Sequence, residues 1–255
     1  MAINIKSAAE VEKIARAGDI VSEVFQVLAR QARPGIRTAQ LDKLAEELII
    51  KRGAIPSFKG YRGYPYTTCL SVNEQVVHGF PGERQLLPGD IVGVDVGAFL
   101  NGYHADAATT IAIGPLDQGV SKLVQTTRDC LALAVSMVRP GIYWGDVAEA
   151  IEQKAVQNGF EVIHDLFGHG IGQKLHEDPL LPNFGKKGTG PRLKEGMIIA
   201  VEPMLVMGDY EIEILADGWT IVTKDGKWSA HEEHTLAITR DGCRILTGQR
   251  NYGEQ

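Results

Sequence analysis

The chain contains a second copy of its own pattern. Arg33-Pro-Gly-Ile36 recurs as Arg139-Pro-Gly-Ile142, 106 positions on, and each copy lies between two apolar patterns of helical spacing. Val21, Val24, Phe25 and Leu28 precede the first copy; Cys130, Leu131, Ala134, Val135 and Val138 precede the second. Leu41, Leu44, Ala45 and Leu48 follow the first and stop near Gly53, while Val147, Ile151 and Ala155 follow the second and stop at Gly159, again 106 positions on. Farther along, Gly89-Asp-Ile-Val-Gly-Val-Asp95 aligns with Gly196-Met-Ile-Ile-Ala-Val-Glu202 at an offset of 107, an apolar strand with a carboxylate at its end in each copy. Helix, turn, helix and strands, twice over, define a duplicated α+β unit and not the strand–helix alternation of a doubly wound fold. The pattern predicts one antiparallel sheet with pseudo-two-fold symmetry and helices packed on one face. The halves fall at about 7–120 and 121–250 of a single domain spanning 1–255. Ser7 with Glu10 reads as a capping box that opens the first helix, and Thr38 and Asp146 read as N-caps of the helices after the two turns.

Composition narrows the function. A chain of 255 residues, 44% hydrophobic, can bury a large core, and no linker or low-complexity run interrupts it. Lys plus Arg is 26 against Asp plus Glu 32, a net charge of -6, which exerts no long-range pull on nucleic acid or anionic membranes. The longest apolar stretch, Met197 to Met207, contains Glu202 and falls well short of the roughly 20 residues needed to cross a bilayer. With no basic, apolar leader at its start, the chain reads as cytoplasmic and mature from its first residue. Cys69, Cys130 and Cys243 are few, odd in number and widely spaced, and read as reduced thiols.

Chemistry concentrates on strands. Asp95 and Asp106 lie on two runs joined by Asn101-Gly102, a hairpin turn almost midway between them, so the two aspartates are expected to face each other across the ladder. Taken singly, a strand aspartate reads as solvent-facing. A pair inside Val/Ile/Ala strands needs a positive partner, and no Lys or Arg occurs between Arg84 and Lys122. Glu202 sits in an equally apolar run with no basic residue between Lys194 and Lys224, and Glu233 precedes another strand. His169 stands between glycines, which admit close backbone approach to a ligand. Four carboxylates and one imidazole carry a formal charge of -4, which two divalent cations balance. This points to a dinuclear centre bridged by carboxylates and a water or hydroxide. The donor set is hard and favours Mn, Fe(II) or Co, with Ni or Zn admitted by metal supply. Such ions acidify bound water and polarise a carbonyl, so hydrolysis is the expected chemistry.

These residues resemble a family. Asn73-Glu-Gln-Val-Val-His-Gly-Phe-Pro81, the Asp95 to Asp106 hairpin, Gly168-His-Gly-Ile-Gly172 with His176 after it, Glu195-Gly-Met-Ile-Ile-Ala-Val-Glu-Pro203 and Glu233-His-Thr235 look like type I methionine aminopeptidase over nearly the whole chain. The resemblance implies the duplicated pita-bread fold. It implies Asp95, Asp106, His169, Glu202 and Glu233 as metal ligands, with Asp106 and Glu233 bridging. It implies that Glu202 handles the proton of the attacking water and that His78 and His176 bind the scissile peptide and its oxyanion. The methionine pocket maps onto Phe58, Tyr61, Tyr64, Cys69, His78, Leu175 and Trp219, with Phe58 and Leu175 departing from the family pattern, where a cysteine and an aromatic are frequent. His104, His164, His231 and His234 receive no catalytic role. The implied substrate is the N-terminal methionine of peptides and nascent proteins with a small second residue. That brings transient ribosome contact, no nucleic-acid substrate and no membrane, and the oligomeric state expected is a monomer. The chain's own Met1-Ala2 start is compatible with the same rule.

Four rivals fit less well. An X-Pro peptidase of this fold usually carries an additional N-terminal domain, for which there is no room ahead of Asp95. A type II enzyme carries a helical insertion between the His and first Glu ligands, and His169 to Glu202 spans only 33 positions. A non-enzymatic binding module of this fold loses the ligands, all present here. A 2-His-1-carboxylate oxygenase has too few carboxylates.

Overall fold

A computed structural model describes residues 3–248. The Met1-Ala2 start, and the ends of the expected 1–255 domain and of its second half, lie outside the described residues. Four helices are described: α1 (Ala8–Gln31), α2 (Thr38–Lys51), α3 (Gln118–Met137) and α4 (Trp144–Gln157). The strands of the first half are β1 (Ile55–Pro56), β2 (Thr68–Val72), β3 (Gln75–Val77), β4 (Ile91–Leu100) and β5 (Tyr103–Ala112). Then come β6 (Glu161–Val162), β7 (Phe167–Gly170), β8 (Glu177–Pro182), β9 (Ile198–Val201) and β10 (Met204–Val206). The last are β11 (Ile212–Ile214), β12 (Ile221–Thr223), β13 (Ser229–His231), β14 (His234–Thr239) and β15 (Gly242–Ile245).

The duplication is physical. Gly35 and Gly141 both take positive φ (87° and 93°), where a side chain would strain the turn. Their amides donate to Leu86 O (2.7 Å) and Leu193 O (2.9 Å), and those residues return hydrogen bonds to Ile36 O and Ile142 O. Each turn is thereby pinned to the segment that feeds the matching strand, β4 or β9. In the first half α1 and α2 cover β4, β2, β5 and β1; in the second α3 and α4 cover β13, β10, β6, β8 and β15. Two large cores result, one around Val21, Leu28, Leu41 and Val94 and one around Leu123, Trp144, Ile151 and Ile199.

The strands pair antiparallel, as expected, but the β structure is not one continuous sheet. It divides into β1-β4-β2 with β5 on β4, β13-β10-β6, β11-β12-β3 and β15-β14-β9-β7-β8. One cause is local. Pro203 has no amide hydrogen, and the ladder stops on both strands at once: Val201 pairs with His234 and Met204 with His231, leaving Glu202-Pro203 opposite Glu232-Glu233 without ladder pairing. The Glu233 amide turns to Ala108 O (2.8 Å) in the other half instead.

The capping assignments need two corrections. Ser7 caps α1 as expected, its own amide donating to Glu10 Oε2 at 2.8 Å. Thr38 is not a cap: its hydroxyl is taken by Gly82, whose amide donates to it (2.8 Å), so Arg37 becomes the N-cap residue. Asp146 is the third residue of α4 and reaches back to the Tyr143 amide at 3.3 Å. The three cysteines are free thiols, Cys69 and Cys130 buried and Cys243 half-buried.

Candidate metal centre

The hairpin turn at Asn101-Gly102 forms where expected, with φ of 52° and 87°. It pairs Leu100 with Tyr103, and this register puts Asp106 opposite Gly97 and Asp95 opposite Ala108. The two aspartates therefore share a face but stand on a diagonal, not directly across the ladder. Asp95 also sits in mid-strand, whereas Glu202 follows the end of β9, and Glu202 and Glu233 both occupy the ladder gap described above.

His169 enters from β7. The glycines beside it admit neighbouring strands rather than a ligand: a Cβ on Gly168 would lie 2.5 Å from Ala200 O, and one on Gly170 would lie 2.2 Å from Asp178 O. The close packing fixes the ring. His169 Nδ1 lies 2.9 Å from Gly170 O, and because a carbonyl only accepts, Nδ1 carries the hydrogen. Nε2 lies 3.7 Å from both Asp106 Oδ2 and Glu202 Oε1, where a neutral ring would offer its lone pair to a metal ion. Ligand atoms of Asp106, His169 and Glu233, all buried, lie within 4.8 Å of one another.

The electrostatics call for a cation. Among the described residues no lysine or arginine forms an ion pair with Asp95, Asp106, Glu202 or Glu233. Burial pushes all four carboxyls upward, and mutual repulsion adds to it at Asp95, Glu202 and Glu233. Asp95 Oδ1 is buried without a hydrogen-bond partner. An imidazole nitrogen facing two carboxylates and an orphaned carboxylate oxygen fit a divalent ion, and the oxygen-rich set fits a hard or borderline one.

Every residue assigned to the site from sequence lines one cavity of about 210 Å³. The five ligand candidates form its floor. Phe58, Tyr64, Cys69, Leu175 and Trp219 supply an apolar wall, with Tyr64 edge-on to Trp219 (5.2 Å) and its hydroxyl donating to Thr68 O at 2.9 Å. His78 takes a left-handed backbone (φ 58°) at the end of β3, and burial holds its ring below the usual histidine pKa. His176 Nδ1 is 2.8 Å from the Tyr61 hydroxyl, and its ring lies 4.2 Å from that of His169.

Of the histidines given no role, His104 bonds Ser57, His234 bonds Thr247, and His164 stacks between Phe184 and Tyr210. His231 is different, for it lines the cavity, as do Arg62, Val77, Leu166, Phe167 and Met204. No local spacing marks it, since β13 ends at His231 and Glu233 lies beyond it in the ladder gap.

A duplicated antiparallel fold with a carboxylate-rich, one-histidine centre at its middle defines a metal-dependent hydrolase. The chain belongs to metallopeptidase family M24, whose model matches residues 12–240. It is 47% identical to a methionine aminopeptidase of Clostridium perfringens over 96% of this chain and 98% of that protein. It is 46% identical to methionine aminopeptidase 1 of Bacillus subtilis over 95% and 98%. The crystal structure of a methionine aminopeptidase from Thermotoga maritima superposes with a TM-score of 0.96 at 44% identity, covering 97% of this chain and all of that one. The resemblance seen in the motifs is thus borne out across the chain, a divalent metal cofactor and a peptide substrate come with the family, and no described helix is long and apolar enough to cross a membrane.

Proposed function

We propose that this chain removes the N-terminal methionine from peptides and nascent proteins whose second residue is small. The observation that carries the reading is the set of four carboxylates that line one partly apolar cavity with His169, whose Nε2 lies 3.7 Å from two of them, Asp106 and Glu202. Asp95, Asp106, His169, Glu202 and Glu233 would hold two divalent ions, Co, Mn, Fe(II), Ni or Zn, with Asp106 and Glu233 shared between them. Bound there, the ions supply Lewis acidity and lower the pKa of water.

The remaining work falls to side chains. Glu202 accepts the proton of the attacking water and returns it to the leaving amine. His78 and His176 donate hydrogen bonds to the scissile peptide and to the oxygen on which charge develops. Phe58, Tyr61, Tyr64, Cys69, Leu175 and Trp219 receive the methionine side chain, for which soft sulfur and aromatic surfaces are good partners. In this reading the two halves act as one catalytic domain, and the enzyme works as a cytoplasmic monomer in transient contact with ribosomes, where nascent N-termini emerge.

Methionine release from Met-Ala-Ser and Met-Lys-Ser, with titrated divalent metal, tests this. Fast release from the first only, dependent on metal, is expected. Cleavage of Ala-Pro-Ala without release from Met-Ala-Ser would overturn the substrate and leave the metal site standing.

A further inference from the structure

His231 is the buried group in the cavity that the proposed chemistry leaves unused. It is 4% exposed, and its Nε2 has no hydrogen-bond partner. Orphaned buried nitrogens are rare in folded proteins and call for a specific explanation. The ring does not hold the fold together. The residue is fixed through its backbone, whose amide donates to Thr110 Oγ1 (3.0 Å), whose carbonyl accepts from that hydroxyl (2.8 Å), and whose Cα pairs with Met204.

The neighbour that matters is Glu202. His231 Nε2 stands 3.7 Å from Glu202 Oε2, while Oε1 of the same carboxylate stands 3.7 Å from His169 Nε2. Glu202 thus lies between two imidazoles, one facing each oxygen. His169 Nδ1 is engaged with Gly170 O, which leaves Nε2 as the atom facing Glu202 and free to ligate. Among the described residues no lysine, arginine or hydroxyl is bonded to either Glu202 oxygen. An ionised Glu202 then has a donor close to Oε2, the imidazole of His231.

We propose that His231 is a positioning residue for Glu202: when the 3.7 Å gap between them closes to hydrogen-bond distance, its neutral ring, hydrogen on Nε2, bonds Oε2 of the ionised carboxylate and holds Oε1 on the His169 side. This rests on the aminopeptidase reading of Glu202. No proton is transferred, and the ring neither ligates a metal nor touches the substrate. Outer partners of this kind orient ligating carboxylates, and their loss weakens metal affinity or activity by about 10–100-fold.

The test uses purified full-length protein and three variants. His231→Leu keeps bulk and removes the donor, His231→Gln restores a donor of similar reach, and His231→Asn offers one too short. Calorimetric Mn(II) affinity, metal content at saturation, kcat and KM on Met-Ala-Ser, and the melting temperature of metal-free protein are measured. For Leu and Asn we expect Mn(II) bound at least about 10-fold more weakly, kcat lowered at least about 10-fold, and KM within about twofold of wild type. Gln should recover most of both losses, with metal-free melting unchanged throughout. The proposal is overturned if Leu and Asn match wild type, or if KM alone rises, making His231 a substrate contact. Loss of a full metal equivalent that Gln does not restore, making it a ligand, or losses that follow metal-free melting also overturn it. Wild-type protein that binds no divalent ion or frees no methionine would instead refute the underlying reading.

Discussion

The Phe58 ring lies over Gly97 so closely that a Cβ added there would come within 2.8 Å of Phe58 Cε1, and within 2.7 Å of Ser57 Cβ. Gly97 is registered with Asp106, so the same position separates Phe58 from a carboxylate proposed to hold metal. Gly97→Ala should push Phe58 into the cavity. Overpacking costs about 1–3 kcal/mol of stability, and KM for Met-Ala-Ser should rise about 10-fold with metal content unchanged. An unaltered KM would show that the wall gives way elsewhere.

Glu233→Ala should lose at least one metal ion and nearly all hydrolysis, because the carboxylate is proposed to be shared. Metal analysis of dialysed protein, together with methionine release, checks it. Full metal content and activity would sink the dinuclear assignment.

His78→Ala should keep its metal and lose turnover, about 10²–10³-fold in kcat, since the ring is assigned to the substrate and not to the ions. Metal loss in this variant would instead place His78 among the ligands.

Lys6 and Glu177 form an ion pair at 2.6 Å with both side chains buried, and Glu177 adjoins His176. Lys6→Met leaves the carboxylate with only Asn4 Nδ2 and the Lys174 amide as donors and should cost about 1–3 kcal/mol by urea unfolding. Lys6→Met with Glu177→Gln should recover much of that loss. A double variant no better than the single would mean the lysine acts through packing alone.

His104 is kept neutral in the fold, its pKa pushed down to about 4 by burial. Below an unfolded value near 6.5 the unfolded chain takes up a proton that the folded chain refuses. Stability from this residue is therefore whole above that pH and is lost as pH falls toward 4. Between pH 7.5 and 5 wild type should lose about 1 kcal/mol more than His104→Gln, a figure already reduced for partial exposure. Parallel losses in urea melts at the two pH values would contradict it.

What could be read without coordinates was the part written in local chemistry. Arg33-Pro-Gly-Ile36 and its copy announce turns that need a left-handed glycine, and Asn101-Gly102 announces a hairpin. Thr38 is not a cap because a hydroxyl that could cap its own helix is claimed by Gly82, 44 residues away in sequence, and Asp146 lies inside the first turn of α4, accepting from the Tyr143 amide. The diagonal of Asp95 and Asp106 depends on a register that a midpoint between them only approximates. His231 escaped notice because its meaning comes from a two-residue gap in a ladder, opposite Pro203, which no local spacing announces.

The seam between the halves passes under the site. Glu233 donates its amide to Ala108 O, Thr235 Oγ1 donates to Asp106 O at 2.7 Å, and the Asp106 amide donates to Thr235 Oγ1 at 3.2 Å. Two carboxylates of the centre belong to one half and the other three donors to its partner, so the floor is stitched where many enzymes have a hinge. With the proposed function, choice among incoming peptides would then fall to fixed dimensions of the floor more than to movement of one half against the other. Such a catalyst behaves as a gauge: what fits is cut, and tightening or slackening the stitches would recalibrate it.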